Sequence, residues 1–325
     1  MISTEPGPGG AVIGGTVDVW IDAAPTIGLP FHDAATGFAL VQAFRSRELR
    51  IRGLSTSFGR VPLARAATVA HELVERFGGD AGMTPARVFQ GTAQAEDFGT
   101  STAAVRALRS ALEERPLTYL ALAPLTNLAA LLRQHPALAG RIERVVFVGS
   151  RTPGRRFTAG RWNPYEFIDR NYHCDNAAAG VILRAGIPLT LVPMEAALQM
   201  PLLVAELGWL GREGGAAGQF LAERARGWMW QWRLFFLMGG GTVTDCFAVL
   251  AATHPHLLET ESRFVTQHHA LDWDAPQDHH KYLLASKVPM GRKFAREATF
   301  CVAPRPAAKA MLLERLAGKP YPVVD

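Results

Sequence analysis

Short runs rich in β-branched residues alternate with longer helical stretches along most of this chain. Val17 to Asp22, Leu49 to Ser57, Val88 to Gln90, Leu117 to Leu122, Val145 to Val148 and Leu189 to Val192 read as strands. Between them, Thr36 to Arg45, Leu63 to Phe77, Ala103 to Glu114, Leu125 to Arg133 and Ala177 to Arg184 read as helices. In the first of these, Ala39, Leu40 and Ala43 share one face. The helix from Leu63 stops at a Gly78-Gly79 pair. Such alternation predicts an α/β fold: a Rossmann-like, open, mainly parallel sheet with helices on both faces and right-handed crossovers. Beyond Leu202 the pattern is mostly helical, with a buried helix over Val243 to Ala252. The C-terminal part mixes short strands with a closing helix, Ala307 to Ala317. No internal repeat or linker interrupts the pattern, so residues 16–325 are expected to form one domain after a loose Gly/Pro-rich tail, 1–15.

Composition narrows the function classes. With 48% hydrophobic and 19% charged residues, the chain is not a disordered or collagen-like protein. The most apolar stretch, Trp228 to Met238, is interrupted by Gln231 and Arg233. It falls short of the ~18 residues a membrane helix needs, so no membrane partner is expected. The cysteines Cys174, Cys246 and Cys301 are too few and too scattered for a disulfide framework or a zinc site, which predicts a reducing, cytoplasmic setting. The net charge is +5, yet the arginines are dispersed. Their densest cluster, Arg151, Arg155, Arg156 and Arg161, is not the basic, aromatic-studded stripe that nucleic acid requires, so no nucleic-acid partner is expected.

In open α/β sheets, ligands sit beyond the carboxyl ends of the strands. That rule selects Asp22 to Asp33, Ser57 to Arg60, Ala123 to Asn127, Gly149 to Asn171, and Glu195 with Gln199. Asp22 ends a strand and Asp33 starts a helix, so both carboxylates can face one cavity. Asp33 also reads as a helix cap, as does Asp245 at the head of its apolar run. Asn163, Glu166, Asp169, Asn171 and Asp175 place five acceptors within thirteen residues. Such a set suits a polyhydroxylated ligand, each acceptor meeting one hydroxyl; a long solvated polar loop would have the same composition. Trp228 and Trp232 share one helix face, with Trp230 between them. They fit either a packed core or a stacking wall for a flat ring. The pairs His268-His269 and His279-His280 lack the spacing of a helical metal site.

Four stretches, in this order, resemble the nucleoside hydrolases of inosine–uridine type. The first is LTYLALAPLTNLAALLRQHPALAGRIERVVFVGS, Leu117 to Ser150. The second, Asn163 to Ala179, has an Asn, then acid–x–Asn (Asp169, Asn171), then Asp175 at the family's spacing. The third is GIPLTLVPME, Gly186 to Glu195, and the fourth is TDCFAVLAATHPHLL, starting at Thr244. The resemblance covers residues 17 to 255 and implies the nucleoside hydrolase fold, a small ribosyl substrate, and a homodimer or homotetramer. It also implies Ca²⁺ held by aspartates and a main-chain carbonyl, orienting a water that attacks the sugar. Carried over residue by residue, Asp33 and Asp245 match metal aspartates, and the Thr126 carbonyl matches the main-chain ligand. Asn163, Asp169 and Asn171 match the ribose-holding residues, with Asp169 standing where Glu is usual.

The chain departs from the family's first motif. Ala24 stands where an aspartate serves as metal ligand and base, and His32 stands where a ribose-binding aspartate is expected. Arg60 replaces an Asn and Thr244 a His, and the loop Gly91 to Thr100 is short. The site therefore becomes less negative. Three readings follow. In an altered N-glycosidase, His32 supplies the base and Arg60 binds an anionic group of a nucleoside-like substrate. In an ordinary calcium enzyme, Asp22 acts as the replacement ligand. The alternative is a non-catalytic relative that binds a ligand or partner. In each, the stretch Trp228 to Phe236 is the candidate wall for the base.

Overall fold

The computed structural model describes residues 15–155, 166–271, 279–290 and 296–322. Asn163, Arg156 and Arg161 lie outside the described residues, as do positions 1–14 of the tail and the side chains of His269, His279 and His280.

Burial along the strands explains the architecture. β1 (Val17–Ala23), β2 (Leu49–Thr56), β3 (Val88–Gln90), β4 (Leu117–Leu122), β5 (Ile142–Val148) and β6 (Leu189–Val192) pair in parallel. All six residues of β4 are buried, as expected of a parallel strand covered on both faces. Side-chain alternation divides the core in two. Val19, Ile21, Leu120, Leu122, Val146 and Val148 face one helical layer, with Phe38 and Phe247. Trp20, Tyr119, Val145 and Phe147 face the other, with Leu128 and Tyr172. The helix Leu63–Phe77 shows the matching stripe: Ala66, Ala67, Val69, Ala70, Leu73 and Val74 are its buried residues. The helices Ala35–Phe44 and Thr244–Thr253 are buried at every position, because further helices cover them from outside.

The C-terminal part differs from the short strands the sequence predicts. After the two-residue strands β7 (Leu202–Leu203) and β8 (Gly240–Gly241), which pair with each other, comes β9 (Leu258–Leu271), 14 residues long. β9 is antiparallel to both β10 (His279–Ser286) and β11 (Arg296–Pro304), so both of its edges are hydrogen-bonded. β11 then joins β6 in parallel. The result is one nine-stranded sheet of order β10-β9-β11-β6-β5-β4-β1-β2-β3.

This order has a direct consequence for function. The chain builds outward from β1 through β2 to β3, then returns to the other side of β1 for β4, β5 and β6. The loops after β1 and β4 therefore diverge to opposite faces and leave a crevice at their carboxyl ends. Among the described residues, no helix is long and apolar enough to cross a membrane.

Candidate active site

A cavity of about 600 Å³ occupies this crevice. It is lined at strand ends by Ala24, Leu122, Val148 and Gly149. From loops and helix starts come His32, Asp33, Thr36, Arg60, Asp169, Asn171 and Asp245. Its aromatic lining is Phe31, Phe167, Trp228, Trp232, Phe235 and Phe236. The structure thus brings together most of the residues that the sequence singles out. A second cavity of about 300 Å³, lined by Leu207, Met229 and Trp230 among others, contains no carboxylate.

Asp33 sits where the β1 loop enters the helix Ala35–Phe44. Its Oδ1 accepts the Ala35 backbone N–H at 3.1 Å, and its Oδ2 lies 3.3 Å from Nη2 of Arg60. It is at once a helix-start acceptor and a cavity carboxylate. Asp245 is buried in the first turn of the helix Thr244–Thr253 and accepts a hydrogen bond from the Thr36 hydroxyl. Burial, and then the nearby Asp33 charge, push its carboxyl up to about 7, against the Thr36 bond and Arg60. Such a group changes protonation near neutral pH.

The imidazole of His32 lines the cavity, with Nδ1 2.6 Å from the Pro30 carbonyl. A carbonyl only accepts, so Nδ1 carries the proton and Nε2 is left as the basic nitrogen. The preceding residue, Phe31, has φ of 60° and is exposed. A bulky side chain in the left-handed region marks a loop whose shape is imposed by its surroundings.

Asp169 caps the short helix Arg170–Cys174. Its Oδ2 accepts the Ser150 N–H at 2.7 Å and its Oδ1 the Tyr172 N–H at 3.3 Å. Ser150 reaches it from a left-handed conformation, φ 78°. Gly149 allows the approach: a Cβ there would stand 2.6 Å from the Phe147 ring and 3.1 Å from Asp169 Oδ2. Burial raises the Asp169 carboxyl to about 6, opposed by these two N–H groups and by Arg151 and Arg60. Asn171 donates from Nδ2 to the Val148 carbonyl at 2.9 Å, which holds the amide at the cavity wall.

The tryptophans resolve as both readings at once. Trp228 and Trp232 are 6% and 5% exposed, so they are core residues, and they also line the cavity. Trp232 stacks on Phe167, with ring centroids 5.7 Å apart and an interplanar angle of 20°. The Trp228 ring lies against Gly241, where a Cβ would stand 2.4 Å away. Trp230 points elsewhere and is half-exposed.

Other sequence candidates are not brought to the cavity. Asp22 is fully buried. Its Oδ1 accepts from Ser55 Oγ at 2.7 Å and Asn127 Nδ2 at 2.9 Å, and its Oδ2 accepts from the Tyr119 hydroxyl at 2.8 Å. It ties β1 to β2 and β4 and does not line the cavity. Thr126 is buried too, its hydroxyl 2.6 Å from Asp175, which caps the helix Asn176–Arg184. Glu166 pairs with Arg151 at 2.9 Å, and Glu195 accepts from Thr152. Thr36 and Met194 line the cavity from outside the loops that the strand-end rule selects, and Phe31 and Phe167 lie within those loops without being singled out by the sequence. Thr36 stands one helical turn after Asp33, a spacing that places both at one helix start.

The donors do not fit the calcium ion that the resemblance implies. Calcium takes six to eight oxygens, several from carboxylates. Here Ala24 contributes none, Asp245 is engaged by Thr36, and Asp33 is engaged by a guanidinium. Among the described residues, no group of three or more His, Cys, Asp or Glu is arranged to hold a metal.

Burial holds Asp22 at about 6 and Asp169 at about 6, alongside Asp245 at about 7. An unfolded aspartate releases its proton near about pH 4. Across the window between, the native chain binds more protons than the unfolded one. These groups therefore stabilise the fold most at the acidic end and lose that contribution as pH rises. Their net effect is an expected fall in the urea midpoint of unfolding from pH 5 to pH 8. Replacing Asp245 by Asn is expected to flatten the part of the fall nearest pH 7; an unchanged profile would remove Asp245 from this account.

Comparison with known proteins agrees with this geometry. A nine-stranded α/β sheet with an acidic and aromatic crevice at its switch point defines an α/β protein with a ligand-sized crevice beyond its strand ends. Residues 19–279 match the model of the inosine-uridine preferring nucleoside hydrolases, and the chain belongs to that family. It is 27% identical over 216 residues to uridine nucleosidase 1 of Arabidopsis thaliana, covering 58% of this chain and 61% of that enzyme. The match thus spans under two thirds of the plant enzyme's length. Its fold resembles a plant nucleoside hydrolase, with a TM-score of 0.73 at 22% identity over 93% of this chain and 99% of that one. It also resembles the purine-preferring ribonucleoside hydrolase of Gardnerella vaginalis, with a TM-score of 0.71 at 19% identity over 93% and 98%.

Proposed function

We propose that this chain hydrolyses the N-glycosidic bond of ribonucleosides, releasing base and ribose. The observation that carries the reading is a single cavity holding Asp33, Asp169, Asn171 and Asp245 together with an aromatic set. Carboxylates and an amide suit a ribosyl diol, and stacked rings suit a flat base. Bond cleavage leaves positive charge on the sugar, and fixed carboxylates stabilise that charge as it develops. A water adds its oxygen to the anomeric carbon as the bond to the base nitrogen breaks. The electron pair departs with the base, which takes up a proton from solvent. His32 Nε2 accepts the water's proton, its Nδ1 being occupied by Pro30. Because Arg60 is engaged by Asp33, neutral nucleosides fit the cavity better than anionic ones.

The exposed residues Trp230, Leu234 and Leu237 support a homo-oligomer as part of the same reading.

The test is sugar release from inosine, uridine and their 5′-monophosphates. Faster release from the neutral nucleosides is expected. The reverse order would assign Arg60 to a phosphate instead. No release from any of them would overturn the hydrolase reading in favour of a ligand-binding relative, which the Ala24 position favours.

A further inference from the structure

The most unusual feature of the cavity is a half-exposed cation beside its carboxylates. Arg60 follows β2 on the loop beside β1, and its Nη2 lies 3.3 Å from Asp33 Oδ2. Its positive charge also reaches Asp169 and Asp245, holding both carboxyls lower than burial alone would. The guanidinium thus pairs with Asp33 and stands within electrostatic reach of the other two acidic groups, the three coming from separate segments of the chain. Ala24, at the end of β1, lines the same cavity with a methyl group.

We propose that the guanidinium of Arg60 takes the place of a divalent cation, so that this site holds its ribosyl ligand without a metal ion. The inference rests on the hydrolase reading for the identity of the ligand, and on geometry alone for the exclusion of metal. Two changes act in the same direction. Without a carboxylate at position 24, a divalent ion would have Asp33, Asp169 and Asp245 as anionic ligands from the cavity. All three are already engaged, Asp33 by Arg60, Asp245 by the Thr36 hydroxyl, and Asp169 by the Ser150 and Tyr172 backbone N–H groups. An ion bound between them would stand beside a guanidinium that stays charged at any accessible pH. Repulsion between like charges at such range opposes binding most strongly where water is displaced.

Arg60 also takes over part of the ion's work. A guanidinium carries five N–H donors in a planar fork, and the pair with Asp33 uses only part of that set. The remaining donors can meet sugar hydroxyls, as a metal would meet their oxygens. A guanidinium does not acidify a bound water as a metal does. Activation of the water then falls to a neighbouring base, and His32 lines the same cavity. Loss of the aspartate at 24, gain of the cation at 60 and gain of an imidazole at 32 thus form one coherent exchange.

The experiment measures metal binding directly. Chelator-treated protein is titrated with CaCl₂, read by calorimetry and by the shift in melting temperature, with metal content determined by plasma mass spectrometry. The wild-type chain is expected to hold no stoichiometric calcium and to show no saturable shift up to millimolar calcium. The Ala24→Asp/Arg60→Asn double variant is expected to gain a saturable stabilisation by calcium, and Arg60→Lys to remain as blind to it as wild type. Stoichiometric binding of calcium by wild type overturns the proposal, and this arm needs no variant to fold. A folded double variant that ignores calcium overturns it as well, because Ala24 and Arg60 would then not be what excludes the ion. Metal binding is read without turnover. A chain inactive on every nucleoside would therefore refute the hydrolase reading and leave the outcome here separately visible.

Discussion

Asp245→Asn is expected to lower kcat for ribonucleoside cleavage by at least ~1,000-fold, about 4 kcal/mol of transition-state stabilisation. The carboxylate is a buried acidic group of the cavity, at the head of a wholly buried helix. Asparagine keeps its shape and still accepts the Thr36 hydroxyl, so the fold is expected to persist. Removing a buried charge from an apolar helix start also relieves a desolvation cost, so the melting temperature at pH 8 is expected to hold or rise. The two readouts together separate chemistry from folding. Steady-state sugar release and a thermal melt on the same preparation suffice. Activity within tenfold of wild type would remove Asp245 from the mechanism.

Asp22→Ala is expected to have the opposite signature, a large loss of stability. It removes the acceptor for three buried donors: Ser55 Oγ, the Tyr119 hydroxyl and Asn127 Nδ2. Each orphaned group bears its own desolvation penalty, and the cavity left behind adds to it. The expected loss is about 3–5 kcal/mol, a large share of the ~5–15 kcal/mol that holds a typical domain together. Urea unfolding measures it. A loss under about 1 kcal/mol would mean that the network is remade around water. Because β1 leads straight into the loop carrying His32 and Asp33, the variant is also expected to bind ligand more weakly even where it remains folded.

These two aspartates show how far the sequence could be read. Both stand near the ends of strands or helices, where ligands are expected. Alternation along β1 is what separates them: Asp22 shares the face of Trp20, and both side chains reach Ser55. That face belongs to the sheet's second core layer, away from the crevice. A strand-end carboxylate announces its position in the chain, but its direction depends on the register with β2 and β4. Asp33 and Asp245 were legible because a helix start points backbone N–H groups, and any nearby acid, toward the loop side. Thr36 and Phe167 were not, since nothing local distinguishes a cavity hydroxyl or ring from a packed one. The long β9 escaped for a related reason: its length depends on having partners on both edges.

What the amino-acid order determined by itself is the succession of strands and helices, the family resemblance, and the set of loops from which a site can be drawn. Periodicity is a local property, and it survives in any register. Only the tertiary structure decided that β4 returns beside β1 and opens a crevice there. It alone decided that Thr36 meets Asp245 across 209 positions, and that Arg60 meets Asp33. Contacts between distant segments depend on how the layers pack, and it is those contacts that turn scattered acids into a site with a cation beside them.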